Sequence, residues 1–304
     1  MIETEILNDH YKKQLNDNGY FIVENILTNN KDILLNAQQS YLDIKDKVNQ
    51  GHFPYYRIYD DYSFSKNLAG IELIFNEEIL TNPIIKLIQS YRILEIAKEI
   101  LGNDLELEKS RIHITENFSH VGIWHRDEKI NHENESLQIN LFLYDETGLQ
   151  VIRGSHTGEI KESDLIQKTP HTSLENSTWV STKAGDVLVF NPAILHRGIS
   201  LHPRANIHFR FRKKKISKYK VNLNYKDLDI SKDWLSCLEN SPNATDKSSI
   251  LPHKMKKDLM SNIYRIIRLI IYNFCFYLPL NSKLFYFFNV RPNLKLRKFF
   301  NLKI

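Results

Sequence analysis

At 304 residues, 42% of them hydrophobic, the chain can bury one sizeable core, and its two cysteines, Cys237 and Cys275, exclude a disulfide framework. The formal net charge of +5 is unevenly spread: residues 251–304 hold seven Lys and four Arg against the single Asp258, a net +10, which leaves the remainder at about −5. A mildly acidic body argues against a nucleic-acid stripe across the main domain, and the start Met1-Ile2-Glu3-Thr4-Glu5 lacks a basic then apolar leader, so a reducing cytoplasm is the expected compartment.

Residues 6–17 read as a short helix with Leu7, Tyr11 and Leu15 on one face, stopped by Gly19 before a compact strand, Tyr20-Phe21-Ile22-Val23. Thr28 caps a second helix over 29–48. It leads into His52-Phe53-Pro54-Tyr55-Tyr56, an irregular aromatic stretch that reads either as a satellite apolar cluster or as a lid over a substrate. Asn82 as N-cap and Pro83 at the first position open the most regular helix. Ile84, Leu87, Ile88, Tyr91, Leu94, Ala97 and Leu101 recur along it at helical spacing until Gly102 ends it.

Beyond Gly102 the period changes to two. The runs 105–116, 121–127, 136–144, 149–153, 178–182, 186–190 and 204–211 are short, rich in branched and aromatic residues, and separated by Gly, Asn, Asp or Pro. Such a series predicts a mostly β fold with flanking helices, a sandwich or barrel of the jelly-roll type, over residues 1–212. From Lys213 to residue 250 a polar stretch reads as a partly ordered linker, and 251–304 as a basic, aromatic tail. Within the tail, 263–280 is dense in large apolar groups. Arg265, Arg268 and Asn273 interrupt it, so its uncharged run falls short of the roughly twenty residues a spanning helix needs. The tail suits peripheral contact with anionic headgroups, with Arg and Lys snorkelling above buried Phe and Tyr; it equally suits a helix packed on the sandwich or on a second subunit.

In a strand, residues i and i+2 face the same way, so His125 and Asp127 present an imidazole and a carboxylate side by side while Arg126 points away. Ile123-Trp124 before them and Glu128-Lys129-Ile130-Asn131 after them place the pair at a strand end, where ligands can meet a cavity. Further on, Gly185-Asp186 turns into the buried strand Val187-Leu188-Val189-Phe190, and Asn191-Pro192 breaks it. His196 follows Ala193-Ile194-Leu195 just past that strand and precedes Arg197-Gly198. Alone, His196 reads as a satisfied core histidine. Beside His125 and Asp127 it completes two imidazoles and one carboxylate, a set that leaves half of an octahedral iron(II) open to other ligands.

Arg204 opens the last strand, in which Arg204, Asn206, His208 and Arg210 share one face and Ala205, Ile207, Phe209 and Phe211 the other. The Arg204 guanidinium is a planar fork suited to the far carboxylate of a dicarboxylic cosubstrate, and Asn206 adds an amide donor beside it. Arg210, in the basic run that follows, reads as a surface residue with a local acid partner. Gln138 and Asn140 are expected on the pocket wall.

The ordered set Asn18-Gly19-Tyr20-Phe21-Ile22-Val23, Trp124-His125-Arg126-Asp127, Gly148-Leu149-Gln150-Val151-Ile152-Arg153-Gly154-Ser155-His156, Gly185-Asp186-Val187-Leu188-Val189-Phe190, His196-Arg197-Gly198 and Arg204 resembles the phytanoyl-CoA dioxygenase family, over residues 15–212. The resemblance implies a double-stranded β-helix of the cupin kind, non-haem Fe(II), and 2-oxoglutarate and O2 as cosubstrates. By motif position it makes His125, Asp127 and His196 the metal ligands and Arg204 the partner of the distal carboxylate of 2-oxoglutarate. Two positions depart from the family pattern. Arg204 follows His196 closely, so the connecting loop is short, and Arg153 stands where proline is usual. Relatives that halogenate replace the carboxylate ligand by a small residue, so the intact Asp127 favours hydroxylation. Ser155-His156 is assigned to a turn, because neighbouring side chains diverge and a nucleophile needs its base within reach.

Two other classes keep part of this pattern. A hydrolase would hold Zn2+ and an activated water on the same three ligands, with no need of Arg204. A non-catalytic, membrane-attached binding module would keep the polar triad for structure alone and use the tail. There is no P-loop, no Gly-x-Gly pair among the ten glycines, no His-Glu-x-x-His and no Cys-x-x-Cys, which removes nucleotide-fold, zincin and zinc-ribbon readings. No residue pattern encodes the substrate, small or lipid-linked, or an oligomeric state.

Overall fold

A computed structural model describes residues 9–24, 31–49, 56–58, 71–73, 92–115, 120–121, 124–130, 135–158, 176–200 and 204–213, with Gln89, Leu174, Trp234 and Cys237. Helix α1, Asp9–Asn18, buries Leu15 and sets the Tyr11 ring 5.1 Å from that of Phe21. It stops where Gly19 takes φ +83° and donates its N–H to the Leu15 carbonyl at 2.9 Å. A Cβ at Gly19 would stand 2.6 Å from Nδ1 of His156, so space as well as conformation demands glycine there. Strand β1, Tyr20–Val23, and helix α2, Lys31–Asn49, follow as expected. Leu7, Thr28 and residues 52–55 lie outside the described residues.

The long helix expected from Pro83 is not continuous. Arg92 is left-handed, at φ 50°, and its N–H bonds to the Gln89 carbonyl at 3.0 Å, so helix α3 begins afresh at Ile93 and runs to Leu101. A left-handed residue cannot propagate a right-handed ladder, whatever the apolar spacing around it. Residues 83–88 lie outside the described residues. Gly102 ends α3 as its sequence indicates, with its N–H on the Lys98 carbonyl at 2.8 Å.

The strands are β2 (Tyr56–Ile58), β3 (Ile71–Leu73), β4 (Leu105–Thr115), β5 (His120–Val121), β6 (Ser136–Phe142), β7 (Glu146–Ile152), β8 (Ser177–Thr182), β9 (Val187–Phe190), β10 (His196–Ser200) and β11 (Arg204–Lys213). They form two antiparallel sheets, a seven-stranded one in the order β1-β9-β6-β11-β4-β3-β2 and a four-stranded one in the order β5-β10-β7-β8. Two differences from the expected runs bear on function. In place of one strand over 121–127, β5 ends at Val121 and His125 makes an isolated antiparallel bridge to His196. His196 does not merely trail a buried strand; it opens β10, which pairs with β7 on one side and β5 on the other.

Alternation sorts the large sheet into two faces. Leu137, Ile139, Leu141, Val187, Val189, Ala205, Ile207, Phe209 and Phe211 pack with Leu15, Ala37, Tyr41 and the buried residues of α3. On the opposite face, Phe142, Leu188 and Phe190 meet Leu149, Val151 and Val180 of the small sheet. Burying each such side chain contributes about 1.5–3 kcal/mol, so a one-residue slip in register would forfeit several of these contributions at once. The chain is thus a jelly-roll core, a double-stranded β-helix, with helices on its outer face. Trp234 and Cys237, within the stretch expected to link core and tail, are buried in the same cluster, and the Trp234 ring lies 6.1 Å from that of Phe211. Among the described residues no helix is long and apolar enough to cross a membrane. Residues 251–304 lie outside the described residues.

Candidate metal centre

An isolated bridge between His125 and the first residue of β10 brings the widely spaced histidines together. His125 N–H donates to the His196 carbonyl and His196 N–H to the His125 carbonyl, each at 3.0 Å, and the rings stand 4.4 Å apart between centroids. Asp127 N–H bonds to the Pro192 carbonyl at 3.0 Å, so residues 125–127 lie along the segment that leads into β10. Arg126 points away, as alternation requires. Its guanidinium donates to the carbonyls of Ser155, at 2.6 Å, and Ala193, fastening the same segment from behind.

One ligand atom from each of His125, Asp127 and His196 lies within 4.8 Å of the others. His125 Nε2 is 3.5 Å from Asp127 Oδ1. His196 donates Nδ1–H to the Ile194 carbonyl at 3.0 Å, which fixes its tautomer and leaves the lone pair on Nε2. Burial and the neighbouring His125 push the His196 imidazole down to about 4, so it is neutral at physiological pH. Burial alone would raise the Asp127 carboxyl. The hydrogen bond from His125 and the charges of His196 and Arg210 outweigh it and hold Asp127 well below the usual carboxylate range. A neutral imidazole beside an ionised carboxylate is the protonation state in which these groups bind a divalent metal. The donor set of two nitrogens and one oxygen therefore fits iron(II) at this position.

The polar wall beside the triad comes from β6 and β11, where Gln138 stands opposite Arg210 and Asn140 opposite His208. Gln138 donates to Asn140 Oδ1 at 3.2 Å and its amide nitrogen lies 3.4 Å from His208 Nδ1. Both Gln138 and Asn140 are buried, as expected for wall positions. Asn206 is buried too. It donates Nδ2–H to Glu146 Oε2 at 2.7 Å, and its Oδ1 meets His208 Nε2. For Arg204 the backbone pairs with Thr115 at the start of β11, and its side chain lies outside the described residues.

Arg210 departs from its expected role. It has an acid partner, but that partner is Asp127, far away in sequence, and the Arg210 side chain is only 11% exposed. Its place on the same strand face as Asn206 and His208 was the available signal, since that face looks into the core. Glu146 had no signal. The spacing starts this run at 149, whereas β7 starts at Glu146, whose carboxylate finds Asn206 inside.

Ser155 and His156 occupy a buried turn, as expected. Ser155 Oγ accepts from Leu195 N–H at 2.7 Å, and His156 Nε2 reaches the Asn16 carbonyl at 3.1 Å, so both tie the segment before His196 and helix α1 into place.

Facing antiparallel sheets with a histidine, an aspartate and a second histidine converging at one end define an oxygenase-type double-stranded β-helix. The chain belongs to the phytanoyl-CoA dioxygenase family, whose model matches residues 15–200, and it is a dioxygenase of the iron- and 2-oxoglutarate-dependent class. Its fold is similar to that of EctD from S. alaskensis, crystallised with 2-oxoglutarate and 5-hydroxyectoine: TM-score 0.55, 19% identity, 70% of this chain and 78% of that one covered. EctD with bound Fe superimposes with TM-score 0.52 at 18% identity, covering 70% and 79%. HygX from Streptomyces hygroscopicus, with nickel and 2-oxoglutarate bound, gives TM-score 0.52 at 14% identity, covering 74% and 94%. At such identities the likeness speaks to the fold. No curated protein sequence matches the chain.

Proposed function

We propose that this dioxygenase hydroxylates a C–H bond of a small or lipid-linked molecule, using iron(II) held by His125, Asp127 and His196. The observation that carries the reading is the convergence of three donors, one from each residue, with His196 neutral and Asp127 ionised. Iron(II) would be held by these three side chains and would keep positions for a 2-oxo acid and for O2. When bound, the iron supplies O2 activation coupled to oxidative decarboxylation of 2-oxoglutarate to succinate and CO2.

The chain supplies placement and dryness. Arg204, at the start of β11, is assigned to the distal carboxylate of 2-oxoglutarate, and Asn206 to the same end, oriented by Glu146 and His208. Phe190, whose ring is 5.4 Å from His196, and Leu188 form an apolar floor that limits water near the reacting centre. We read residues 1–212 as the oxygenase domain, 213–250 as a connecting stretch that contributes Trp234 and Cys237 to the core, and 251–304 as the tail. The basic, aromatic composition of that tail supports peripheral contact with a lipid surface and, with it, a lipid-linked substrate.

Succinate formation from 2-oxoglutarate, with Fe(II) and O2 present, tests the activity. The parent is expected to turn over slowly without substrate and Asp127→Ala not at all; equal rates would contradict the assignment. For the tail, co-sedimentation with anionic vesicles is expected to weaken when Arg265, Arg268, Arg291 and Arg297 are replaced by Gln. Unchanged binding would remove the lipid part of the reading.

A further inference from the structure

The Asp127 carboxylate is divided between two neighbours. Oδ1 lies 3.5 Å from His125 Nε2, on the side of the histidines, while Oδ2 accepts from Nη2 of Arg210. The same Nη2 donates to Gln138 Oε1 at 2.8 Å, and Gln138 in turn donates to Asn140 Oδ1 at 3.2 Å. Nε of Arg210 is buried without a partner among the described residues, so the two Nη2 bonds orient the guanidinium. Arg210 and Gln138 are direct cross-strand partners in the middle of the large sheet, whereas Asp127 sits on an irregular segment beyond an isolated bridge. A strand paired on both sides thus steers a ligand carried on a segment held by one isolated bridge.

A free carboxylate can chelate a divalent metal with both oxygens. With Oδ2 engaged by a guanidinium, only Oδ1 is available to a metal between His125 and His196. We propose that Arg210 is a positioning residue that confines Asp127 to one-oxygen ligation and so keeps a third metal position open for the cosubstrates. The inference rests on the reading of His125, Asp127 and His196 as the metal site. Charge neutralisation alone would not require the Gln138 tether; a fixed direction for the guanidinium does.

Water-proton relaxation of the Mn(II)-loaded full-length protein counts the waters on the metal, and it does so without turnover. In the parent, three positions are expected to carry water, and saturating 2-oxoglutarate to leave about one. In Arg210→Met, chelation by Asp127 is expected to lower the inner-sphere contribution by about one third, and 2-oxoglutarate to remove nearly all that remains. Arg210→Lys, which keeps the charge and one donor towards Asp127, is expected to behave close to the parent. If Arg210→Met does not fold, Arg210→Gln removes the cation with a polar side chain as long as that of Met and gives the same two readings. Parent-like relaxation in the uncharged variant, with and without 2-oxoglutarate, would overturn the inference and leave the metal site intact. A parent protein that binds no Mn(II) would instead overturn the metal reading itself, and the role of Arg210 with it.

Discussion

The backbones of His125 and His196 hold one another by a reciprocal pair of hydrogen bonds, both 3.0 Å long, so the two imidazoles face each other through sheet geometry alone. Two candidate ligands with many residues between them are therefore brought together by backbone pairing. Added Mn(II) is expected to raise the melting temperature of the parent, by an amount equivalent to about 2.7 kcal/mol at a hundred times the dissociation constant. His125→Ala, which empties a partly exposed position, is expected to fold with near-parent stability and to lose that rise. A full metal-dependent rise in His125→Ala, read by thermal denaturation, would contradict the site.

Arg204→Ala is expected to abolish 2-oxoglutarate binding while sparing the metal, because a planar fork on a dicarboxylate's far end is lost and the three ligands are untouched. Equilibrium dialysis of 2-oxoglutarate against the Mn(II)-loaded variant checks this. Retained affinity would move the anchoring role to another cation. A zinc hydrolase on the same ligands would show no dependence on Arg204 at all.

The low proton affinity of His196 makes stability pH-dependent in a stated direction. The folded protein takes up its proton at about 4, the unfolded chain at the usual 6.5, so between these values the unfolded state holds more protons. Its contribution is complete above pH 6.5 and is lost as the pH falls to about 4, by on the order of 3 kcal/mol. Asp127, held below its usual 3.8, adds its own loss only at still lower pH. Denaturant titrations of metal-free protein across this range are expected to show a shallower pH dependence for His196→Gln than for the parent. Parallel curves would contradict the buried neutral imidazole.

Trp234 buries its indole against Phe211 at the outer face of the large sheet. Trp234→Ala is expected to cost about 3–5 kcal/mol, the range for removing a large aromatic from a core, measured by chemical denaturation. A cost below about 0.5 kcal/mol, as for a surface change, would mean that the chain beyond β11 contributes nothing to the core.

Much of this was legible in the sequence because period and punctuation agree there. Tyr20–Val23 lies between Gly19 and a second helix, and Ala205, Ile207, Phe209 and Phe211 alternate with Asn206, His208 and Arg210 as a two-faced strand must. The triad was legible because a strand-end His-x-Asp and a distant histidine share one chemistry. What escaped depends on long-range contacts that leave no local mark. The left-handed turn at Arg92 sits inside an unbroken apolar periodicity, and Glu146 lies in what reads as a polar turn. Alternation puts Arg210 on the correct face, but its partner is Asp127 and not a local acid, because a basic run suggests solvent when the facing strand is unknown.

The most direct test of the central claim is optical. Fe(II) and 2-oxoglutarate, added anaerobically to the full-length protein, are expected to produce a visible metal-to-ligand charge-transfer band that needs both components and is absent in Asp127→Ala. Saturating amounts of both that leave the parent spectrum without such a band would contradict an iron centre built from His125, Asp127 and His196.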